Sequence, residues 1–326
     1  MKRRTIPRSG LQVSALGLGG VTFGHGLDAE GTDRIIRTAH DLGINFIDTA
    51  PIYGEPFGDS EDFIGLALRG IRDDFVIGTK VGFPAEYFGD EGRFLPDVQG
   101  LLTSEAIERS LDQSLRRLRT DYVDILYLHW PDSSTPLDDT WASLARLQES
   151  GKVSSFGLSW HSAEQIRISA ELCESRGWTA PSVINDAYNL LDRSIEAEVT
   201  RECERLGVAI APAFPLAGGL LTGKYSAEKM PSGARLSEFE QFRPWTDDQY
   251  LDAVAPYSAY AQDHGHTVAE LALAWLLHRP MICSVVSGTT STAQLKANAE
   301  AVEWVLSADE LAEIDGLPHG HLPRLF

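Results

Sequence analysis

The sequence predicts an α/β fold, a (β/α)8 TIM barrel with an N-terminal β-hairpin and an extra C-terminal helix. Three observations carry this. Short apolar or β-branched runs alternate with longer stretches of helical spacing, and the alternation recurs eight times. The first Gly-rich turn opens into a loop, VTFGHGLDAEG, whereas an open doubly wound sheet would run directly into a helix. Every long irregular stretch follows a strand. The 326 residues suit one barrel domain spanning 1–326.

In chain order, residues 3–13 read as a hairpin around Ser9-Gly10 that closes the barrel's floor. Residues 15–18 form the first barrel strand. The helix 33–42 follows, with Ile35, Ile36, Ala39 and Leu42 on one face and Gly43 as its stop. Strand 45–47 precedes helix 61–68, and strand 75–79 precedes helix 104–118. The run YVDILYL, 122–128, is a buried strand followed by helix 141–149. Strand 153–158 pairs with helix 163–176, a strand beginning at Val183 with helix 195–206, and strand 208–212 with helices 248–264 and 268–277. Strand 282–286 and helix 292–302 complete the eight units, and a helix capped at Ser307 closes the chain. The longest irregular stretches, 81–102, 129–138 and 215–247, all fall on the C-terminal rim, where barrel enzymes place their sites.

Composition narrows the function classes. Hydrophobic residues make up 43% and charged residues 23%, enough for a core throughout. A formal net charge of −19 disfavours nucleic acid and anionic membranes as partners. The start MKRRTIPRSG is basic but no apolar core follows it, and no run approaches the ~20 apolar residues of a membrane helix. The three cysteines, Cys173, Cys203 and Cys283, lie far apart without metal spacing, so neither a disulfide framework nor a metal is expected, and a reducing cytoplasm fits.

Four polar residues stand at neighbouring strand ends. Asp48 ends the second strand, with Tyr53 five residues on. Lys80 ends the third and His129 the fourth. Singly each has an ordinary reading: a turn cap, a loop aromatic, a solvated strand end, a rim histidine. Together at one rim they make a proton-transfer site. An ammonium favours a neighbouring phenolate, a carboxylate holds the ammonium, and a neutral imidazole orients a carbonyl. A hydride donor would complete a carbonyl reduction, which calls for a nicotinamide cofactor.

The sequence resembles the aldo-keto reductase family. The resemblance rests on Leu16 to Gly20, GINFIDTAPIYG, GTK at 78–80, DYVDILYLHWPD, GKVSSFGLS, YNLLDR, PLAGGLLTGKY and SGTTSTAQLKAN, in order over nearly the whole chain. It implies Tyr53 as general acid/base, Lys80 and Asp48 tuning it, His129 orienting substrate, and an extended NADP(H), with NAD(H) as the alternative. By the same resemblance, cofactor contacts fall on Gly20, Val21, Asp48, Ser159, Asn185, Phe214, Pro215, Leu216, Gly218, Leu220, Gly288, Thr290, Gln294 and Asn298.

Several positions depart from the family pattern. Trp160 stands where Asn is usual, Asn185 where Gln is usual, and Ala213 where a ring-stacking aromatic is usual, with Phe214 beside it. Gly288 and Gln294 occupy the positions that are often basic against a 2′-phosphate, and Lys296 points elsewhere round its helix. Weakened NADP selectivity is the expectation. Trp130 and Trp160, with Trp245, Tyr87 and Phe88, could line a substrate pocket for a small carbonyl or alcohol, sugars among them. Two further functions share the fold: a nucleotide-sensing subunit without catalysis, and a redox enzyme that retains its cofactor.

Overall fold

A computed structural model describes residues 1–83, 99–225, 236 and 245–319. The chain opens with the antiparallel hairpin β1 (Arg3–Thr5) and β2 (Gln12–Ser14). Ile6 and Val13 are fully buried among the inward-facing Phe46, Val76, Ile125, Val183 and Ala209, so the hairpin stoppers the barrel floor. The Arg4 guanidinium fastens it by donating to the carbonyls of Leu277 and Ile282 at 2.8 and 2.9 Å.

Eight parallel strands follow. They are β3 (Leu16–Gly19), β4 (Phe46–Asp48), β5 (Val76–Val81), β6 (Val123–Leu128), β7 (Val153–Ser159), β8 (Val183–Asn185), β9 (Ala209–Ile210) and β10 (Val285–Ser287). Their spatial order is β10-β3-β4-β5-β6-β7-β8-β9. A parallel bridge between Ile210 and Ile282 joins the two ends. There the Ile210 N–H donates to the Met281 carbonyl at 2.8 Å, and the Cys283 N–H to the Ile210 carbonyl at 2.9 Å. The barrel is therefore closed, and among the described residues none of its eight strands keeps an open edge.

The paired helices bury apolar faces against the strands, as the periodicity predicts. Two start about a turn earlier than their apolar spacing suggests. Ala29–Asp41 begins where the Asp28 side chain accepts from the Gly31 N–H, and Leu137–Glu149 begins just after Pro136. These first turns carry few apolar residues, so period alone misses them. The expected helix 195–206 is interrupted: a 3-10 turn, Ser194–Glu196, precedes Val199–Leu206, and Glu198 between them leaves helical geometry with φ −131°. The expected strand 208–212 shortens to two ladder residues, β9.

The C-terminal helix Ala308–Asp315 docks through its last residue. Asp315 accepts from the Trp275 indole, from Arg279 and from Arg193 at 2.9 to 3.1 Å. Among the described residues, no helix is long and apolar enough to cross a membrane.

Candidate active site

The four rim residues come from consecutive strand ends. Asp48 is the last residue of β4, Lys80 the penultimate residue of β5, and His129 directly follows β6, its N–H donating to the Val81 carbonyl at 2.7 Å. Tyr53 arrives on the loop after β4. Its carbonyl accepts from the N–H groups of Gly58 and Ser60, each at 3.2 Å, and Gly54 supplies the left-handed turn with φ +101°. A Cβ at Gly54 would come within 2.9 Å of the Ser60 nitrogen, so the close packing of this loop also requires glycine.

Lys80 is fully buried and spends its three donors on one cluster. Its Nζ donates to Asp48 Oδ2 at 2.6 Å, to the Thr49 carbonyl at 2.9 Å and to the Tyr53 hydroxyl at 3.3 Å. Burial pulls the ammonium down, but Asp48 and Tyr53 more than offset it, so Lys80 stays charged above its ordinary value. Burial pushes the Asp48 carboxyl up against the opposing pull of Lys80. The His129 ring meets Tyr53 edge-on, with centroids 6.3 Å apart and planes at 89°. Burial, then the Lys80 charge, drive His129 well below the usual imidazole value, so it is neutral. Behind the cluster, Thr49 Oγ1 and Ser60 Oγ lie 2.8 Å apart, and the Ser60 hydroxyl donates to the Gly20 carbonyl at 2.8 Å. The turn after β3 is thereby tied to the lysine's carbonyl acceptor.

From Tyr53 and Asp48 a cleft open to solvent crosses the rim between the ends of β3, β8 and β10 and the loop after β9. Val21, Asn185, Phe214, Pro215, Leu216, Gly218, Gly288, Thr290 and Gln294 line it. Gly20, Ser159, Leu220 and Asn298 do not. The buried Ser159 hydroxyl donates to the Asn185 carbonyl at 2.9 Å, and the Asn298 amide donates to Ser287 Oγ at 3.3 Å. These two brace the lining instead of forming it. Asn185 commits its Nδ2 to the Ala211 carbonyl at 2.8 Å. Gln294 folds back: its Oε1 accepts from the Thr289 hydroxyl and the Thr290 N–H, both at 3.1 Å. Lys296 is exposed, and Ala213 is on the wall.

Sequence reasoning missed Gly19, Thr22, Thr222, Val286, Ser287 and Lys224 as lining residues. Lys224 matters most, because it adds a cation to the cleft wall of an acidic chain. It sits in the stretch PLAGGLLTGKY, directly after Gly223 and five residues after Gly219, and that proximity was its available signal.

The cleft suits an extended, phosphate-bearing dinucleotide. Gly218 and Gly219 take φ +65° and +108°, and a Cβ on Gly218 would come within 3.2 Å of Leu236 and Trp245. The left-handed turn and this packing both call for glycine, and both glycines line the cleft. Lys224 can meet phosphate charge, and the capped helix Thr292–Ala301 begins at the far end.

An aromatic band leads away from His129. Phe83 packs on the imidazole at 4.9 Å between centroids and on Trp130 at 6.3 Å. Trp130 meets Trp160 at 5.9 Å, Trp160 meets Phe214 at 6.4 Å, and Phe214 meets Trp245 at 5.8 Å. Trp160, Phe214 and Ala217 all hold left-handed backbone, with φ +60°, +51° and +48°. Such outliers persist where surroundings over-determine them, often at ligand sites. Tyr87 and Phe88 lie outside the described residues.

The aldo/keto reductase family model matches residues 15–318. The chain belongs to the aldo/keto reductase family. It is 34% identical to protein Tas of Escherichia coli (strain K12) over 97% of both chains. It is 35% identical to L-glyceraldehyde 3-phosphate reductase of the same strain, over 97% of this chain and 92% of that one. It is 33% identical to a probable voltage-gated potassium channel subunit beta of Arabidopsis thaliana, over 94% and 92% respectively. Within this oxidoreductase family, three of the chain's departures lie together, while Gly288 and Gln294 line the cleft's far end. Asn185 and Ala213 line the cleft, and Trp160 adjoins it through Phe214.

Proposed function

We propose that the chain is an NAD(P)(H)-dependent oxidoreductase that reduces an aldehyde or ketone, or oxidises the corresponding alcohol or sugar hydroxyl. One observation carries this: the Lys80 ammonium is hydrogen-bonded at once to Asp48 and to the Tyr53 hydroxyl, with a neutral imidazole beside them.

In the reducing direction Tyr53 gives its proton to the carbonyl oxygen. Lys80 stabilises the phenolate left behind, and Asp48 keeps Lys80 charged and fixed. His129, being neutral, can donate one ring N–H to the carbonyl oxygen without competing as an acid. The aromatic band shields the reacting carbon from water. A bound nicotinamide supplies or accepts the hydride. Asn185 and Phe214 would hold the nicotinamide end, Gly218 and Lys224 the phosphates, and Gly288, Thr290 and Gln294 the adenosine end. NADP(H) is the family default. The absence of a side-chain cation at Gly288 and Gln294 leaves NAD(H) open, and kcat/KM with each cofactor decides; a thousandfold preference for NADPH would sink weakened selectivity. The single barrel domain 1–326, working in the cytoplasm on a small carbonyl or alcohol, is part of the same proposal.

Tyr53→Phe should lower turnover by orders of magnitude while cofactor binding, followed by fluorescence titration, hardly changes. Surviving activity would overturn the assignment. The similarity to a potassium channel beta subunit supports a second reading, a nucleotide-sensing subunit serving a partner protein. The assembled proton-transfer cluster favours the enzyme. A third, a cofactor-retaining redox enzyme, would show cofactor surviving purification.

A further inference from the structure

Beneath the four rim residues, the barrel interior holds polar groups that the proposed reaction does not use. Tyr127 points inward from β6 and is fully buried. Two glycines on the flanking strands make its place. A Cβ on Gly157 would overlap the ring, and one on Gly78 would come within 2.9 Å of its Cε2. The register sets Tyr127 opposite Lys80, and Gly78 opposite Asp48. The ring centroid lies 5.7 Å from Lys80 Nζ, within cation–π range.

Among the described residues, neither the Tyr127 hydroxyl nor Asp48 Oδ1 has a hydrogen-bond partner, and both atoms are buried. Both residues flank Gly78: the Tyr127 ring through Cε2, and Asp48 through Oδ1, which stands 3.6 Å from where a Cβ there would be. A carboxylate oxygen and a phenol, both buried beside Gly78 without a protein partner among the described residues, are a poor arrangement if left dry. Buried polar groups of this kind are met by ordered water.

We infer that an internal water bridges the Tyr127 hydroxyl and Asp48 Oδ1, and that Tyr127 is a positioning residue that keeps the Asp48 carboxylate ionised beneath Lys80. The water accepts from the phenol and donates to Oδ1, while Oδ2 keeps its 2.6 Å bond from the ammonium. Both carboxylate oxygens are then served, and protonating Asp48 must break a bond. Tyr127 stays a donor throughout, since burial, Asp48 and Cys283 push its hydroxyl well above the ordinary phenol value. The titratable groups that bear on this pair are Lys80 from β5, Tyr53 from the loop after β4, His129 beyond β6 and Cys283 ahead of β10. Of these His129 is neutral, and burial pushes the Cys283 thiol up to about 12. Lys80 is therefore the cation that Asp48 answers to. The role given to Tyr127 in catalysis rests on the proposed function; the water does not.

The test has two arms. A wild-type crystal structure fine enough to show waters should place one within about 3.2 Å of both oxygens. A dry gap overturns the inference. In the holoenzyme, Tyr127→Phe keeps the ring and removes the hydroxyl, so the acid limb of the kcat–pH profile should move up by about one unit. The Asp48 carboxyl, followed by NMR, should titrate upward in step. Ser284→Ala is the control. Ser284 Oγ is equally buried and unpaired among the described residues, but borders Gly17 beside Phe46 Cδ1, whereas the opposite ring atom, Cε2, borders Gly78. It should leave the limb in place. An unmoved limb in Tyr127→Phe, or the same shift in both variants, overturns the positioning role. If Tyr127→Phe does not fold, the wild-type density decides. Should Tyr53→Phe stay active, the catalytic reading fails while the water stands on its own density.

Discussion

Replacing Lys80 with methionine removes the cation and keeps much of its apolar stem. Lys80 is 0% exposed and Asp48 5%, so the carboxylate left behind has little access to solvent. Its Oδ2 loses the 2.6 Å donor, and Oδ1 has no protein donor among the described residues. Removing one partner of a buried pair costs about 3–5 kcal/mol. A second route gives a similar figure. If Asp48 instead takes a proton at pH 7, against an unfolded value near 3.9, the cost is about 4 kcal/mol at ~1.4 kcal/mol per pH unit. The folded variant then binds more protons than the unfolded chain, so its deficit shrinks as pH falls, to about 1.5 kcal/mol at pH 5. Lys80→Met with Asp48→Asn leaves no buried charge and should recover all but about 1–2 kcal/mol of stability. It should recover no turnover. Urea denaturation at pH 7 and 5, with turnover measured alongside, reads all of this. A single variant as stable as wild type at pH 7, or a double variant no more stable than the single, would refute the buried ion pair.

Lys224→Ala should weaken dinucleotide binding about tenfold by fluorescence titration, the size of one charge-assisted contact, while kcat at saturation holds within about twofold. Unchanged binding would make its place on the cleft wall incidental. His161 is buried with Nδ1 2.7 Å from the Ser159 carbonyl, and burial pushes it down to about 4. It stays neutral in the folded protein while the unfolded chain protonates below about 6.5. It therefore subtracts roughly 1.4 kcal/mol of stability per unit between pH 6.5 and 4. His161→Gln should flatten that part of the stability–pH curve, and an unaltered slope would refute the assignment. Gly157→Ala drives a Cβ into the Tyr127 ring and should lower stability by about 1–3 kcal/mol or more; a neutral melting temperature would show that the ring has room to move.

The barrel and the meeting of Asp48, Lys80 and His129 were legible because they depend on order alone, whereas Tyr53 reaches them on a loop turned by Gly54. Once strands alternate with helices and close, consecutive strand ends are neighbours whatever the intervening loops do. What stayed hidden depends on side-chain direction and backbone sign. Within β6, Ile125 and Tyr127 face the interior while neighbouring residues of YVDILYL face the helices, yet a parallel strand buried on both sides is apolar at nearly every position and shows no alternation. Composition therefore cannot say that this tyrosine lies under the lysine. Trp160 read as an unusual residue at a family position and a candidate pocket wall. Its left-handed φ, which turns it into a band between Trp130 and Phe214, has no sequence signal, since tryptophan rarely adopts it. Gln294 read as a missing charge, whereas it is a brace whose oxygen holds the Thr289–Thr290 turn. That difference changes what a substitution there would do. Arginine at 294 would add a cation for the 2′-phosphate of the proposed cofactor and at the same time release the turn that shapes this end of the cleft. A gain in NADPH affinity and a loss of cleft order would then oppose each other, and charge counting alone would predict only the first.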